Sequence, residues 1–196
     1  YDAIFANKLQ KRKIVLGYTF NEEKDKKGLL PSPVFSEGDL GKHKIANSQE
    51  RSGYSGNIDV LQKSAMSGGH FNPANEADGV LRKVQLVIPY EKQYYAALSL
   101  AVVRAYFDNP PVKLEFADYT GGDAELEEIS VGGLKIPVDN QARALIPFRG
   151  PRNSFKYVSA SDIMNELVPV DELKSKIVLM GTSTPDRKST RLNSSH

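Results

Sequence analysis

Residues 80–116 read VLRKVQLVIPYEKQYYAALSLAVVRAYFDNPPVKLEF, and this stretch decides the fold class. Its first part, 80–89, alternates or runs apolar and predicts a strand. The next part predicts a helix over 93–107, which Pro110 and Pro111 end. The apolar residues at helical spacing are Leu98, Ala101, Val102, Ala105 and Tyr106. Because Val112–Phe116 predicts a further strand, strands and helices alternate, which indicates an α/β fold with a mainly parallel sheet flanked by helices.

The flanking sequence adds elements of the same kind. Residues 2–10 and 58–65 predict helices, and residues 14–20 predict a buried strand. Residues 21–57 are rich in Lys, Glu, Gly, Ser and Pro, which predicts a long surface loop. Two short apolar runs joined by Gly132-Gly133 predict a tight β-hairpin. Ile177–Met180 predicts a buried parallel strand near the end of the domain.

The C-terminal segment Asp186–His196 matches the in-frame translation of a common sequencing adapter, so we interpret 186–196 as a non-native tail. It contains Arg187, Lys188 and Arg191 against Asp186. Setting it aside leaves 23 basic and 23 acidic residues of the chain's 26 and 24. A domain with balanced charge gives no indication of a nucleic-acid partner.

Residue types exclude several kinds of site. The chain has no Cys, which excludes disulfides, Cys-ligated zinc and thiol catalysis. Only His43 and His70 lie outside the tail, so we expect no metal site and no cofactor. We expect His70 to be half-buried and hydrogen-bonded.

Several motifs in fixed order carry a family resemblance. They are Gly69-His70-Phe71-Asn72, Asp78-Gly79-Val80-Leu81-Arg82, Ile136-Pro137-Val138-Asp139, Ile146-Pro147-Phe148-Arg149-Gly150-Pro151, Phe155-x-Tyr157-Val158-Ser159-Ala160-Ser161-Asp162 and Lys176-Ile177-Val178-Leu179-x-Gly181-Thr182-Ser183. In this order they resemble the type-two CHASE domain, a sensory module associated with cyclases and histidine kinases. Compared with the family pattern, this chain lacks the N-terminal strand and helix. We therefore expect residues 1–185 to form an incomplete domain.

The resemblance implies a sensory domain outside the bacterial inner membrane. Flanking segments absent from this chain would cross the membrane and lead to a cytoplasmic adenylate or guanylate cyclase or a kinase. The expected partners are an unidentified small-molecule or environmental signal and, in the full-length protein, a second copy in a homodimer. We expect that the chain is not itself an enzyme.

Charged residues beside turn-forming glycines are the candidate site residues. Asp78, Arg82, Arg149 and Asp162 either bind a ligand or anchor loops. Arg82 can bind an anionic ligand, but Asp78-Gly79 also forms a turn that Arg82 can tie down. Arg149 precedes Gly150, where an Arg more often bonds to loop carbonyls than to a ligand. Asp162 falls in the first turn of a short predicted helix, where a carboxylate is favourable.

Two alternative functions remain open from the residues. One is a secreted or periplasmic hydrolase that uses Ser55 or Ser161 with Asp162 and His70. The glycine spacing around Ser55 does not fit a nucleophile elbow, which argues against this alternative. The other is a purely structural module that dimerises an output enzyme, and it shares every sequence feature of the sensory interpretation.

Overall fold

The computed structural model describes residues 1–46, 51–74, 78–117, 124–151 and 154–182. The predicted tail at 186–196 therefore lies outside the described residues. The chain divides into two compact units, Tyr1–Pro147 and Phe148–His196. No helix in the described part of the chain is long and apolar enough to cross a membrane.

The structure is mixed α/β, as the sequence predicts. The helices are α1 (Asp2–Leu9), α2 (Asp59–Gln62), α3 (Leu98–Tyr106) and α4 (Ala160–Met164), with 3-10 turns at Glu37–Leu40 and Val170–Glu172. The strands are β1 (Val15–Asn21), β2 (Lys26–Lys27), β3 (Phe35–Ser36), β4 (Gly53–Ser55), β5 (Ser67–His70), β6 (Lys83–Gln85), β7 (Val87–Tyr90), β8 (Gln93–Ala96), β9 (Lys113–Ala117), β10 (Glu125–Val131), β11 (Leu134–Pro137) and β12 (Arg143–Leu145).

The sheets of the first unit are more antiparallel than the sequence predicts. Their strand orders are β2-β4-β1-β5, β3-β8-β7, β11-β10-β9 and β12-β6. Of the described pairs, β1–β5 and β2–β4 are parallel and the others are antiparallel. The prediction of a mainly parallel sheet is therefore not supported, whereas the predicted hairpin at Gly132-Gly133 is the β10–β11 pair.

A second hairpin accounts for part of this difference. β7 and β8 are joined by Glu91 and Lys92, which both adopt positive φ angles, 48° and 62°. This is the geometry of a two-residue hairpin turn whose twist matches the flanking strands. The predicted helix at 93–107 consequently begins only at Leu98, and its first four residues form β8 instead. Tyr94 and Tyr95 alternate between two buried clusters, as side chains do along a strand.

One backbone bridge connects the two main sheets. His70, the last residue of β5, forms a parallel bridge with Ala97 directly after β8. The strand registers place Tyr18 opposite His70 and Ile88 opposite Tyr95. Because side chains alternate along a strand, these four residues share one face of the combined sheet, and α3 packs on the other face. The core is thereby split into a mainly aromatic cluster on one face and an aliphatic cluster around α3.

The segment 21–57, predicted as a surface loop, contributes to both clusters. It contains β2, β3 and β4, and Leu40 and Ile45 are buried in the aliphatic cluster. Leu30 and Tyr54 pack against the aromatic cluster. Short strands with isolated apolar residues give no periodic signal, so composition alone was misleading here.

The second unit has no fully buried residue among those described. The short helix that the sequence predicts around Asp162 is α4, and Ser159 caps it by accepting a hydrogen bond from the Ser161 amide. The predicted buried strand at Ile177–Met180 is absent: these residues form no strand and are 54–89% exposed. An apolar run of four residues is too short to show a periodicity, so the sequence alone does not tell whether it is a buried strand or an exposed segment.

Candidate functional site

The candidate site is an open cavity of about 260 Å³ in the first unit, which we call the β5–α3 cavity. The end of β5 and the start of α3 form its walls, together with residues before and within β6. Its lining is His70, Phe71, Asn72, Pro73, Ala74, Leu81, Lys83, Val84, Ala97, Leu98, Ser99 and Ile146. Most of these side chains are apolar and a few are polar, which is the usual make-up of a small-molecule pocket.

Gly69 allows β5 and α3 to come together at this cavity. A Cβ atom on Gly69 would lie 2.4 Å from the Leu98 Cα and 2.9 Å from the Ala97 carbonyl carbon. Only a residue without a side chain fits against the start of the helix at that distance. The glycine of the Gly-His-Phe-Asn motif therefore has a packing role, because it sets the depth at which α3 begins.

Asn72 fixes the chain that leaves β5. Its Oδ1 accepts from the Phe20 amide at 2.8 Å, and its Nδ2 donates to the Phe20 carbonyl at 2.7 Å. The last backbone hydrogen bond described between the two strands runs from the Phe71 amide to the Tyr18 carbonyl. One residue further on, the Asn72 side-chain amide continues the β1–β5 pairing. Sequence reasoning did not select Asn72 as a site residue, although it lies in a motif that carries the family resemblance.

Asp139 holds the opposite wall through a charged network. Its Oδ2 accepts from Lys83 Nζ and Arg143 Nε, both at 2.9 Å, and its Oδ1 accepts from the amides of Gln141 and Arg143. Partial burial acts to raise the pKa of Asp139, but the hydrogen bonds from Lys83 and Arg143 outweigh burial and lower it. Lys83, a lining residue of the cavity, is consequently oriented by Asp139. As with Asn72, the only indication of Asp139 in the sequence was its place in a motif of the family resemblance, Ile136-Pro137-Val138-Asp139.

The structure brings Asp78 and Arg82 together. Arg82 Nη2 lies 2.8 Å from Asp78 Oδ2, and Asp78 Oδ1 accepts from the Val80 amide at 3.0 Å. Gly79 between them has a φ of 72°, which suits glycine. The hydrogen bond from Arg82 and that from the Val80 amide lower the pKa of Asp78. Both side chains are about half exposed, and the contacts are those that a loop anchor requires.

Arg149 and Asp162 lie in the second unit. Arg149 is exposed and precedes Gly150, whose φ is 143°. Asp162 lies in the first turn of α4, and its amide donates to the Ser159 carbonyl at 3.1 Å. No hydrogen bond or ion pair joins the two side chains within the described part of the chain. Their predicted roles in ligand binding or loop anchoring stay predictions.

The aromatic cluster contains a buried polar centre. Around Phe20, the rings of Tyr18, Tyr90, Tyr95 and His70 have centroids at 5.4 to 6.0 Å. His70 is only 1% exposed, and within the described residues neither of its ring nitrogens has a hydrogen-bond partner. The expectation of a half-buried, hydrogen-bonded His70 was therefore wrong. Its position beside Tyr18 on the inward face of β5 buries the ring completely.

Burial determines the charge state of these groups. Burial, and to a smaller extent the nearby Arg51 charge, lowers the pKa of His70 to about 3. Burial and the neighbouring Tyr95 raise the pKa of Tyr18. Both groups are thus neutral at physiological pH. His70 does not hydrogen-bond to Ser55, and Ser161 pairs its hydroxyl with Ser159 at 2.7 Å, so the alternative hydrolase arrangement gains no support.

No group of three or more potential ligands that could hold a metal ion occurs within the described residues. Comparison with protein families found one match: the model described as the CHASE2 domain matches residues 1–194. No curated protein matches the chain. No solved structure matches it either.

Proposed function

Because the chain belongs to the CHASE2 domain family, we propose that it is the extracytoplasmic input domain of a bacterial transmembrane receptor. The family is one of sensory, non-catalytic domains, and the match over residues 1–194 is the observation that carries the proposal. Segments flanking the domain cross the membrane and connect it to a cytoplasmic cyclase or kinase. The chain itself is not an enzyme, since it senses a signal and the output region does the chemistry.

The β5–α3 cavity is the proposed signal-binding site. It is slightly smaller than the roughly 300–1,000 Å³ of drug-sized ligand pockets, which favours a small molecule. Its apolar lining offers contact area, while Ser99 in the first turn of α3 and Lys83 offer polar contacts. The Asn72 and Asp139 hydrogen bonds support the cavity walls. A ligand bound there contacts both β5 and α3, so it can favour one packing of the helix on the sheet.

Asp78 and Arg82 act mainly as a loop anchor in this proposal. Their carboxylate and guanidinium groups already satisfy one another and the Asp78-Gly79 turn. Arg149 and Asp162 are proposed to have comparable anchoring roles in the second unit. In the full-length receptor we propose a homodimer, because a signal can then be passed on by a change in how two copies pack.

A single engineered cysteine tests the location. The chain has no Cys, so Lys113→Cys on the exposed face of β9 gives one reactive thiol. The full-length protein, with any cysteine outside this chain replaced, is treated in intact cells with a membrane-impermeant maleimide. We expect labelling before lysis, and a thiol that reacts only after lysis would contradict an extracytoplasmic location.

Deletion of residues 1–182 from the full-length protein tests the role. Cyclic nucleotide production and autophosphorylation are measured in membranes that contain equal amounts of the two proteins. We expect the deletion to change output several-fold, because an input domain biases the active state of the output region. Equal output from both proteins would contradict an input role.

A further inference from the structure

His70 lies where a proton would be costly. It is buried on the inward face of β5, opposite Tyr18 in the β1–β5 register. Phe20, Tyr90 and Tyr95 complete the aromatic cluster around it. A charged imidazole in such surroundings needs an acceptor or a counter-charge to be tolerated.

Among the described residues, none supplies His70 with a counter-charge. From β1 comes the Tyr18 hydroxyl, from β7 Tyr90 and from β8 Tyr95, and all three are phenol side chains. The chain leading into β4 contributes Arg51, whose side chain is only 14% exposed and whose charge acts on His70. Two ion pairs of described residues also lie at this cluster. They are Arg51 with Glu22 at 3.3 Å and Lys26 with Glu91 at 2.5 Å, and Lys26 also lies over the Tyr90 ring.

The part of the chain that covers this cluster lies at the edge of a sheet and is held there by short strand pairings. It consists of residues 22–30 and 51–56, which we call the edge flap and which contain β2 and β4. β4 pairs with β1 over three residue pairs and with β2 over two. Leu30 and Tyr54 of the flap pack against the aromatic cluster, and Arg51 precedes β4. Short pairings at a sheet edge open at lower free energy than a core strand does.

We propose that the edge flap is an acid-sensitive latch, released from the aromatic cluster when His70 takes up a proton. In the closed form a protonated His70 is buried with no acceptor among the described residues, and the positive charge of Arg51 acts on it. In the open form the imidazole reaches water, and the two cations separate. Acid therefore favours the open form. His70 also contributes to the lining of the β5–α3 cavity, so the latch and the proposed signal-binding site share this residue.

Acid favours the open form because His70 binds a proton more tightly in the open form than in the closed form. The pKa of His70 is about 3 when the flap is closed and returns toward the ordinary value when it opens. The open form thus binds more protons between these values, and the opening equilibrium constant rises about tenfold per pH unit below a pH of about 6.5.

Amide hydrogen exchange of the full chain between pH 7 and pH 4.5, corrected for the intrinsic pH dependence of exchange, tests the latch. The reporting amides bond within the flap or to its neighbours: Leu29 to Asn57, Tyr54 to Asp25 and Gly56 to Lys27. Their protection is expected to fall by up to about 100-fold between pH 6.5 and pH 4.5. The reference amides are Ala101 in α3 and Leu86, which should keep their protection.

His70→Phe is the decisive variant, because a phenyl ring fits an aromatic cluster and cannot take up a proton. It should remove the pH dependence of flap protection. His43→Phe is the matched control, since His43 is partly exposed and stacked on Phe116, and it should behave as wild type.

Three results would overturn the latch. One is equal loss of protection in the flap and at the reference amides, which would indicate global acid unfolding. Another is an unchanged pH dependence in the His70→Phe variant. The third result is obtained with the wild-type chain alone. It is that His70 titrates near pH 6.5 in NMR spectra while the hydrogen-exchange protection of the edge flap stays constant.

Discussion

Replacing Asn72 tests whether the family motif at the end of β5 is structural. In Asn72→Ala the amide and carbonyl of Phe20 lose the side-chain partners that lie at 2.8 and 2.7 Å. Each such hydrogen bond contributes about 0.5–1.5 kcal/mol net, so the variant should lose about 1–3 kcal/mol of unfolding free energy. A chain of this length shifts its melting temperature by roughly 2–4 °C per kcal/mol.

Asn72→Asp makes the same test chemically specific. The carboxylate can still accept from the Phe20 amide, but it cannot donate to the Phe20 carbonyl and places negative charge against it. We therefore expect a loss at least as large as in Asn72→Ala, although the two side chains differ by one atom in shape. Urea and thermal unfolding followed by circular dichroism measure both variants. Asn7→Ala, on the exposed face of α1, is the control and should not be destabilised.

Unfolding of Asn72→Ala at the same urea concentration and temperature as the wild type would contradict a structural role for Asn72. The Phe20 groups would then have an equally good partner without Asn72. A stable Asn72→Ala variant with altered receptor output would instead assign Asn72 to signal recognition at the β5–α3 cavity.

Two further substitutions test the packing and the charge network around the cavity. Gly69→Ala should lower the free energy of unfolding by about 1–3 kcal/mol, because its Cβ would lie 2.4 Å from the Leu98 Cα. Gly38→Ala is the control, since its Cβ would lie 3.6 Å from the nearest atom, and it should lower the free energy of unfolding far less. Equal melting temperatures of the two variants would contradict the close approach of Gly69 to α3. Asp139→Asn should lose about 1.5–3 kcal/mol at pH 7, because it removes the charge that Lys83 and Arg143 neutralise. Since the pKa of Asp139 is lowered on folding, its stabilisation is present above the unfolded-state pKa and is lost as the pH falls through the folded-state pKa. Wild type and Asp139→Asn should thus converge in acid, and a constant difference across pH would contradict this assignment.

The elements with a strong local signal could be predicted from the sequence. Gly132-Gly133 between two apolar runs predicted the β10–β11 hairpin, and the glycines supply the positive φ angles that its turn requires. The helical spacing from Leu98 onward predicted α3. The short helix predicted around Asp162 is α4, which Ser159 caps. In each case the residue types themselves favour the observed backbone geometry.

Elements fixed by tertiary contacts could not be predicted. Glu91-Lys92 is not a typical hairpin dipeptide, so the β7–β8 turn and its antiparallel pairing were missed. Tyr94 and Tyr95 fit a helical pattern as well as a strand, and only their burial in two clusters decides between them. The strands of residues 21–57 depend on pairing with β1 and β8, which no local window reveals.

The candidate site was predicted only in part. Asp78 and Arg82 were selected from their position beside Gly79, and the structure joins them at 2.8 Å. Asn72 and Asp139 were present in the motifs but were not selected. The sequence does not show which backbone and side-chain groups these two residues contact in the folded chain. The close packing of α3 on β5 beside the cavity depends on Gly69, and this role is visible only once the helix that packs against Gly69 is known.

Filling the β5–α3 cavity in the full-length receptor tests the central claim most directly. Leu81 lines the cavity and is 43% exposed, so Leu81→Trp can occupy it without replacing a core residue. Val80→Trp is the matched control, because the adjacent Val80 is 46% exposed and is not part of the lining. Both isolated chains are first shown to melt as the wild type does.

The measurement is output, as cyclic nucleotide production or autophosphorylation, from membranes holding equal amounts of each receptor. We predict that Leu81→Trp shifts output at least several-fold, as an occupied signal site does, while Val80→Trp stays at the wild-type level. Wild-type output from both variants, in a receptor whose output does depend on residues 1–182, would contradict the account and favour a purely structural dimerisation module.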